Sequence, residues 1–159
     1  MRNVLPSALT IAGLVAAPII VAAQTPAPAP QPYRPGLGDL MTMTVQPRHI
    51  KLALAGNEKN WVYAAYELHE LQEAFDRAAR VWPQQRAVPI ADMLASVTKD
   101  PMAALAQAIT DADAAKFDVA YGQLTDACNS CHQGAGRGMV VIKTPETATF
   151  PDQDFRPVK

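Results

Sequence analysis

The only two cysteines in this 159-residue chain are Cys128 and Cys131, and His132 follows the second directly. The run Cys128-Asn129-Ser130-Cys131-His132 has the Cys-x-x-Cys-His spacing of covalent haem attachment. On a helical turn, two thiols at this spacing reach the two vinyl groups on one haem edge. The next residue then turns an imidazole towards the iron, so Cys128 and Cys131 fix one haem c and His132 supplies the proximal bond. Two other chemistries use the same residue types. A disulfide or redox dithiol suits an oxidising compartment, but such sites open a helix after a strand. A zinc site needs a fourth ligand, and the remaining histidines, His49 and His69, lie far off in sequence without metal-ligand spacing.

The elements that position this run read as helices. Trp61, Leu68, Phe75 and Trp82 recur every seven residues, with Ala64, Leu71 and Ala78 between them, while Glu67, Glu70, Asp76, Arg77 and Arg80 fall elsewhere. This is an amphipathic helix, expected to start near Asn57 after Gly56 and to stop at Pro83. After Pro89, Ile90, Leu94 and Val97 step at helical spacing, and Asp100-Pro101 offers a cap and first-turn proline for a continuation through Leu105 and Ile109. That gives one kinked helix or two short ones. Asp111 or Asp113 can cap a last helix in which Phe117, Tyr121, Leu124, Cys128 and Cys131 share one stripe. A first helix over about 37–55 has two competing faces, one with Met41, Val45, Leu52 and Ala55, the other with Met43, Ile50 and Leu54. Only Met139-Val140-Val141-Ile142 hints at a strand. The expectation is an all-α antiparallel four-helix bundle carrying the haem motif on its last helix, followed by an irregular tail.

The N-terminus has Arg2, an apolar run from Leu9 to Val21, and Val21-Ala22-Ala23. This pattern matches a secretory signal peptide over 1–23, short against the ~20 apolar residues of a membrane span. The expected product is periplasmic, with no membrane span after cleavage. Residues 24–36 carry Pro26, Pro28, Pro30, Pro32 and Pro35 and read as an extended Pro/Ala-rich linker. The haem domain is expected over 37–138, with 139–159 as a tail packing on it. Fourteen basic and fifteen acidic residues give a net charge of −1. Neither sign forms a block, which argues against nucleic-acid binding.

An export signal, four helices and a haem motif on the last of them resemble the cytochrome c prime class of four-helix-bundle cytochromes, over roughly residues 37–138. The sequence departs from that class after His132, where Gly134-Ala135-Gly136-Arg137-Gly138 breaks the helix and 21 further residues follow. The resemblance implies an exported monohaem electron carrier, not itself an enzyme, that exchanges electrons with redox partner proteins. A five-coordinate haem protein that binds nitric oxide or carbon monoxide, or a haem peroxidase, would share the fold. The choice rests on the side chain opposite His132. The resemblance places that position on the first helix and implies Met41, with Met43 and His49 as alternatives. Arg137 and Arg48 are candidates to pair with haem propionates. The tail residues Met139, Val141, Ile142, Phe150 and Phe155 can cover a haem edge or simply dock on the bundle. The Trp61 to Trp82 seam can bury within the bundle or pair two subunits as a homodimer.

Overall fold

Apolar residues one helical turn apart, with polar caps between them, divide residues 37–134 into four helical rods. The structure, a computed structural model, describes residues 32–147 and 149–158. The expected signal peptide and most of the linker lie outside the described residues.

The first rod is composite. It comprises α1 (Leu37–Leu40), a π-helical turn (Met41–Val45) and α2 (Gln46–Asn57). Pro47 has no N–H, and its ring crowds the carbonyl four residues back, which disfavours an unbroken α-ladder at this point. The π turn relieves this by inserting one residue, and the Gln46 N–H donates to the Met41 carbonyl, five residues back. The buried positions follow the shift: Leu40 to Val45 is a step of five, after which Val45, His49, Leu52 and Gly56 step by three or four. Of the residues that competed for a face in the sequence, Met43 within the π turn is exposed, while Leu52, Leu54 and Ala55 beyond it are all buried.

The second rod, α3 (Trp61–Val81), begins later than the Gly56-Asn57 pair suggests. Asn60 caps it by accepting from the Tyr63 N–H at 3.2 Å, and Lys59, at φ 55°, is the residue that turns left-handed. Gly56 instead stays inside α2, where a Cβ would come within 2.1 Å of the Phe117 ring. Trp82 closes α3, with its indole N–H donating to the Pro35 carbonyl at 2.8 Å. The third rod, α4 (Ile90–Thr110), is one helix that contains Pro101, so Asp100 caps nothing. The fourth, α5 (Ala114–Gly134), is capped by Asp113, which accepts from the Lys116 N–H at 3.0 Å.

Contacts run α2 to α3, α3 to α4, α4 to α5 and α5 back to α2, which closes a ring of four around one core. Leu52, Leu71, Leu105 and Leu124, one from each rod, are fully buried, and each contributes about 1.5–3 kcal/mol. Glu67 was expected with the charged residues outside the seam but is fully buried. Arg48 of α2 reaches it at 3.2 Å and reaches Glu70 at 3.0 Å, so the carboxylate is desolvated with its counter-ion in place. The described residues form no strand, only an isolated bridge between Gln85 and Val88. No helix among them is long and apolar enough to cross a membrane.

Candidate cofactor-binding site

The last two turns of α5 present Cys128, Cys131 and His132 to a cavity of about 370 Å³, within the size range of ligand pockets. The start of the first rod also lines it, with Leu37, Met41 and Val45. Phe75 of α3 and Ile90 and Leu94 of α4 close the sides, and Arg137, Val140 and Ile142 approach from the segment after α5. Most of these side chains are apolar, and the chemistry-bearing groups are concentrated along one edge.

The thiols are not tuned for redox exchange. Burial, with a smaller contribution from neighbouring Cys131, pushes the Cys128 thiol up to about 11, and burial raises Cys131 as well. A dithiol oxidoreductase needs the reverse, a thiol lowered towards neutral pH. Nor do three His, Cys, Asp or Glu side chains converge as a metal-ion cluster among the described residues, which leaves a zinc reading without its remaining protein ligands.

His132 is oriented by the segment that follows it. Its Nδ1 lies 2.8 Å from the Val140 carbonyl, which can only accept, so Nδ1 carries the proton and Nε2 keeps a free lone pair. Val140 donates its own N–H to the Arg137 carbonyl at 2.8 Å, and two residues further on Ile142 is held by Asn129, inside the cysteine motif. The Asn129 Oδ1 accepts from the Ile142 N–H at 2.8 Å, and its Nδ2 donates to the Ile142 carbonyl at 2.9 Å. Sequence reading passed over Asn129. Its side chain carries both a donor and an acceptor, but nothing nearby in the sequence marks a partner 13 residues further on.

The other site candidates separate. Met41 is half-buried and lines the cavity, whereas Met43 is 74% exposed and does not. His49 lines the cavity but is buried with both ring nitrogens engaged, Nδ1 with the Tyr121 hydroxyl at 2.9 Å and Nε2 with the Thr125 hydroxyl at 3.1 Å. Burial lowers its pKa to about 4, so it is neutral at pH 7. Tyr121 and Thr125, four residues apart on α5, are polar partners that the apolar stripe concealed. Arg48 is off the cavity, committed to Glu67 and Glu70. Arg137 is exposed at the rim, the one Lys or Arg among the described lining residues.

No protein-family model matches this chain, and no curated protein or solved structure is similar enough to it to count as a match.

The tail divides between two places. Val140 and Ile142 line the cavity while Met139 and Val141 are exposed. Further on, Phe155 is buried with its ring stacked on Tyr63 at 5.5 Å, and Lys51 lies 4.7 Å from the Phe150 ring. The Asn60 amide donates to the Phe155 and Arg156 carbonyls, each at 3.1 Å. Phe150 and Phe155 therefore fasten the tail to α2 and α3 and do not cover the cavity.

Proposed function

We propose that the protein is an exported monohaem c-type cytochrome that transfers electrons in the periplasm, a divergent relative of the cytochrome c prime class with its four helices in antiparallel order. The observation that carries the reading is that Cys128, Cys131 and His132 line one mostly apolar cavity, with His132 Nδ1 turned to the Val140 carbonyl at 2.8 Å. The antiparallel order is supported by what meets at that cavity: the starts of the first rod and α4, and the later parts of α3 and α5.

The residues fit the group. Cys128 and Cys131 would hold it covalently and His132 would ligate the iron, which supplies one-electron chemistry when bound. The chain's own part is positioning and exclusion. The Val140 carbonyl fixes the His132 ring, the apolar walls keep water from the site, and Arg137 stands at the rim where a carboxylate can be paired. Met41, which lines the same cavity as His132, would offer the iron a soft thioether donor.

A second reading, a gas-binding haem protein, is favoured by one feature: Met41 sits at the π turn on a flexible side chain, and the other polar groups on that wall, Thr42, Gln46 and the engaged His49, are weak or committed donors. A peroxidase needs a distal acid–base group, and His49 has neither nitrogen available.

The deciding experiment is acid–acetone extraction of the purified protein, followed by optical spectra with and without carbon monoxide. Haem that resists extraction from wild type but not from a Cys128→Ser, Cys131→Ser double variant supports attachment. A low-spin reduced spectrum unchanged by the gas supports the electron carrier over the gas binder. A wild-type protein free of covalent haem would sink both.

A further inference from the structure

The glycines Gly134, Gly136 and Gly138 leave the chain after His132 little intrinsic conformation, and Met139 and Val141 are exposed, so apolar burial alone does not pin this stretch. Backbone hydrogen bonds turn it back at the helix end, from the Arg137 N–H to the His132 carbonyl at 2.6 Å and from the Val140 N–H to the Arg137 carbonyl at 2.8 Å, and beyond that turn a pair of hydrogen bonds from one carboxamide anchors it. Asn129 treats the Ile142 peptide unit as a neighbouring strand would, accepting from its N–H and donating to its carbonyl. The geometry needs a side chain with both a donor and an acceptor at short reach. A carboxylate would oppose the carbonyl, an ammonium would oppose the N–H, and glutamine is one methylene longer. Two residues before Ile142, the Val140 carbonyl then falls on His132 Nδ1.

We propose that Asn129 is a positioning residue for the haem iron: by clamping Ile142 it holds the Val140 carbonyl on His132 Nδ1, which fixes the ligating tautomer and lowers the reduction potential. The inference rests on the haem reading above. A histidine that donates its other ring N–H to a carbonyl is a stronger base at the metal. A stronger donor favours the ferric over the ferrous iron, so loss of the clamp raises the midpoint potential. The tail segment from Met139 to Ile142 is thus a strap on the proximal ligand, and its fastening lies within the attachment motif itself.

The test compares wild type with Asn129→Ala, Ile142→Pro and Ser130→Ala, each purified with the group it carries from the cell. Ile142→Pro removes the N–H that Asn129 accepts and leaves the attachment motif untouched, so it remains readable if Asn129→Ala impairs attachment. Ser130→Ala alters the other, exposed motif position. Midpoint potential is read by spectroelectrochemistry, the His132 ring by its ¹⁵N shifts, and the clamp by hydrogen exchange of the Ile142 amide. The expected result is an upward shift in potential of similar size in Asn129→Ala and Ile142→Pro, none in Ser130→Ala, and loss of Ile142 amide protection in Asn129→Ala. Unchanged potentials in both clamp variants would overturn the proposal, as would an Ile142 amide that exchanges freely in wild type. A wild-type protein without covalent haem overturns the function reading and takes the potential shift with it, while Ile142 protection still reports whether the clamp exists.

Discussion

The Tyr121 hydroxyl lies 2.9 Å from Nδ1 of His49 and 2.9 Å from the carbonyl of the same residue. The Thr125 hydroxyl, at Nε2 of the ring, likewise reaches the Tyr121 carbonyl at 3.0 Å. Each hydroxyl has one proton and two acceptors in reach, so a neutral imidazole leaves one backbone carbonyl without its hydroxyl donor. A charged imidazolium would satisfy both hydroxyls, but burial disfavours the charge and holds the pKa at about 4 against 6.5 for a free histidine. Desolvation outweighs the completed network.

That balance sets a pH dependence of stability. The folded pKa lies below the unfolded one, so the unfolded state takes up the proton first as pH falls. The contribution is complete above about pH 6.5, declines between 6.5 and 4, and is flat below 4. The depression corresponds to about 3 kcal/mol. Urea titrations of wild type and His49→Phe across this window check it: the variant should lose the slope, and an identical slope in both would assign it to other groups.

Gly56 and Gly122 are both helical glycines, and they should respond to alanine in opposite directions. Alanine favours a helix over glycine by about 1 kcal/mol. At Gly122 nothing lies within 4 Å of an added Cβ, so Gly122→Ala should stabilise by about 0.5–1 kcal/mol. At Gly56 the Cβ would meet the buried Phe117 ring at 2.1 Å, and overpacking typically costs about 1–3 kcal/mol. Gly56→Ala should therefore destabilise on balance. Adding Phe117→Leu should recover part of the loss, a non-additivity that a double-mutant cycle measures.

The sequence pattern exposed α3 almost completely, because an apolar residue every seventh position leaves a helix one way to face the core. It did not expose the phase of the first rod, because the π turn at Met41–Val45 breaks the periodicity on which phasing depends. Pro101 suggested a break that the packing of Met102 and Leu105 overrides. In the candidate site, Cys128, Cys131 and His132 were legible as a local run. Asn129 was not, because its partners are backbone groups 13 residues away in a segment without a repeat. Choosing between Met41 and Met43 likewise required the helix phase.

The buried carboxylate of Glu67 gives a prediction about charge. Removing Arg48 alone strands the ionised group in the core, a change that typically costs about 3–5 kcal/mol. The lower end is expected here, since the Arg48 side chain is still 30% exposed. Arg48→Met should thus destabilise by about 3 kcal/mol, whereas Arg48→Met with Glu67→Leu should recover most of it, because the charge then left without Arg48 is only that of Glu70, whose side chain is 26% exposed to solvent. Thermal unfolding of the two variants and wild type distinguishes a paired buried charge from a surface contact.

Met41 and Met43 are two residues apart, and the structure assigns them different surroundings. Met41 lines the same cavity as His132, and Met43 is 74% exposed. If the haem reading holds, Met41→Ala should convert a low-spin spectrum to high spin and admit carbon monoxide, because the other polar groups on the first rod's wall, Thr42, Gln46 and the engaged His49, are weak or committed donors. It should also lower the potential, since a thioether at the sixth position favours the ferrous iron. Met43→Ala should leave spectrum, gas binding and potential unchanged. Met41→His provides the opposing control, replacing the thioether with a stronger donor, and should restore the low-spin state at a potential below wild type. A spectrum indifferent to Met41→Ala would assign that side chain to packing alone and leave the sixth position open, as the gas-binding reading requires.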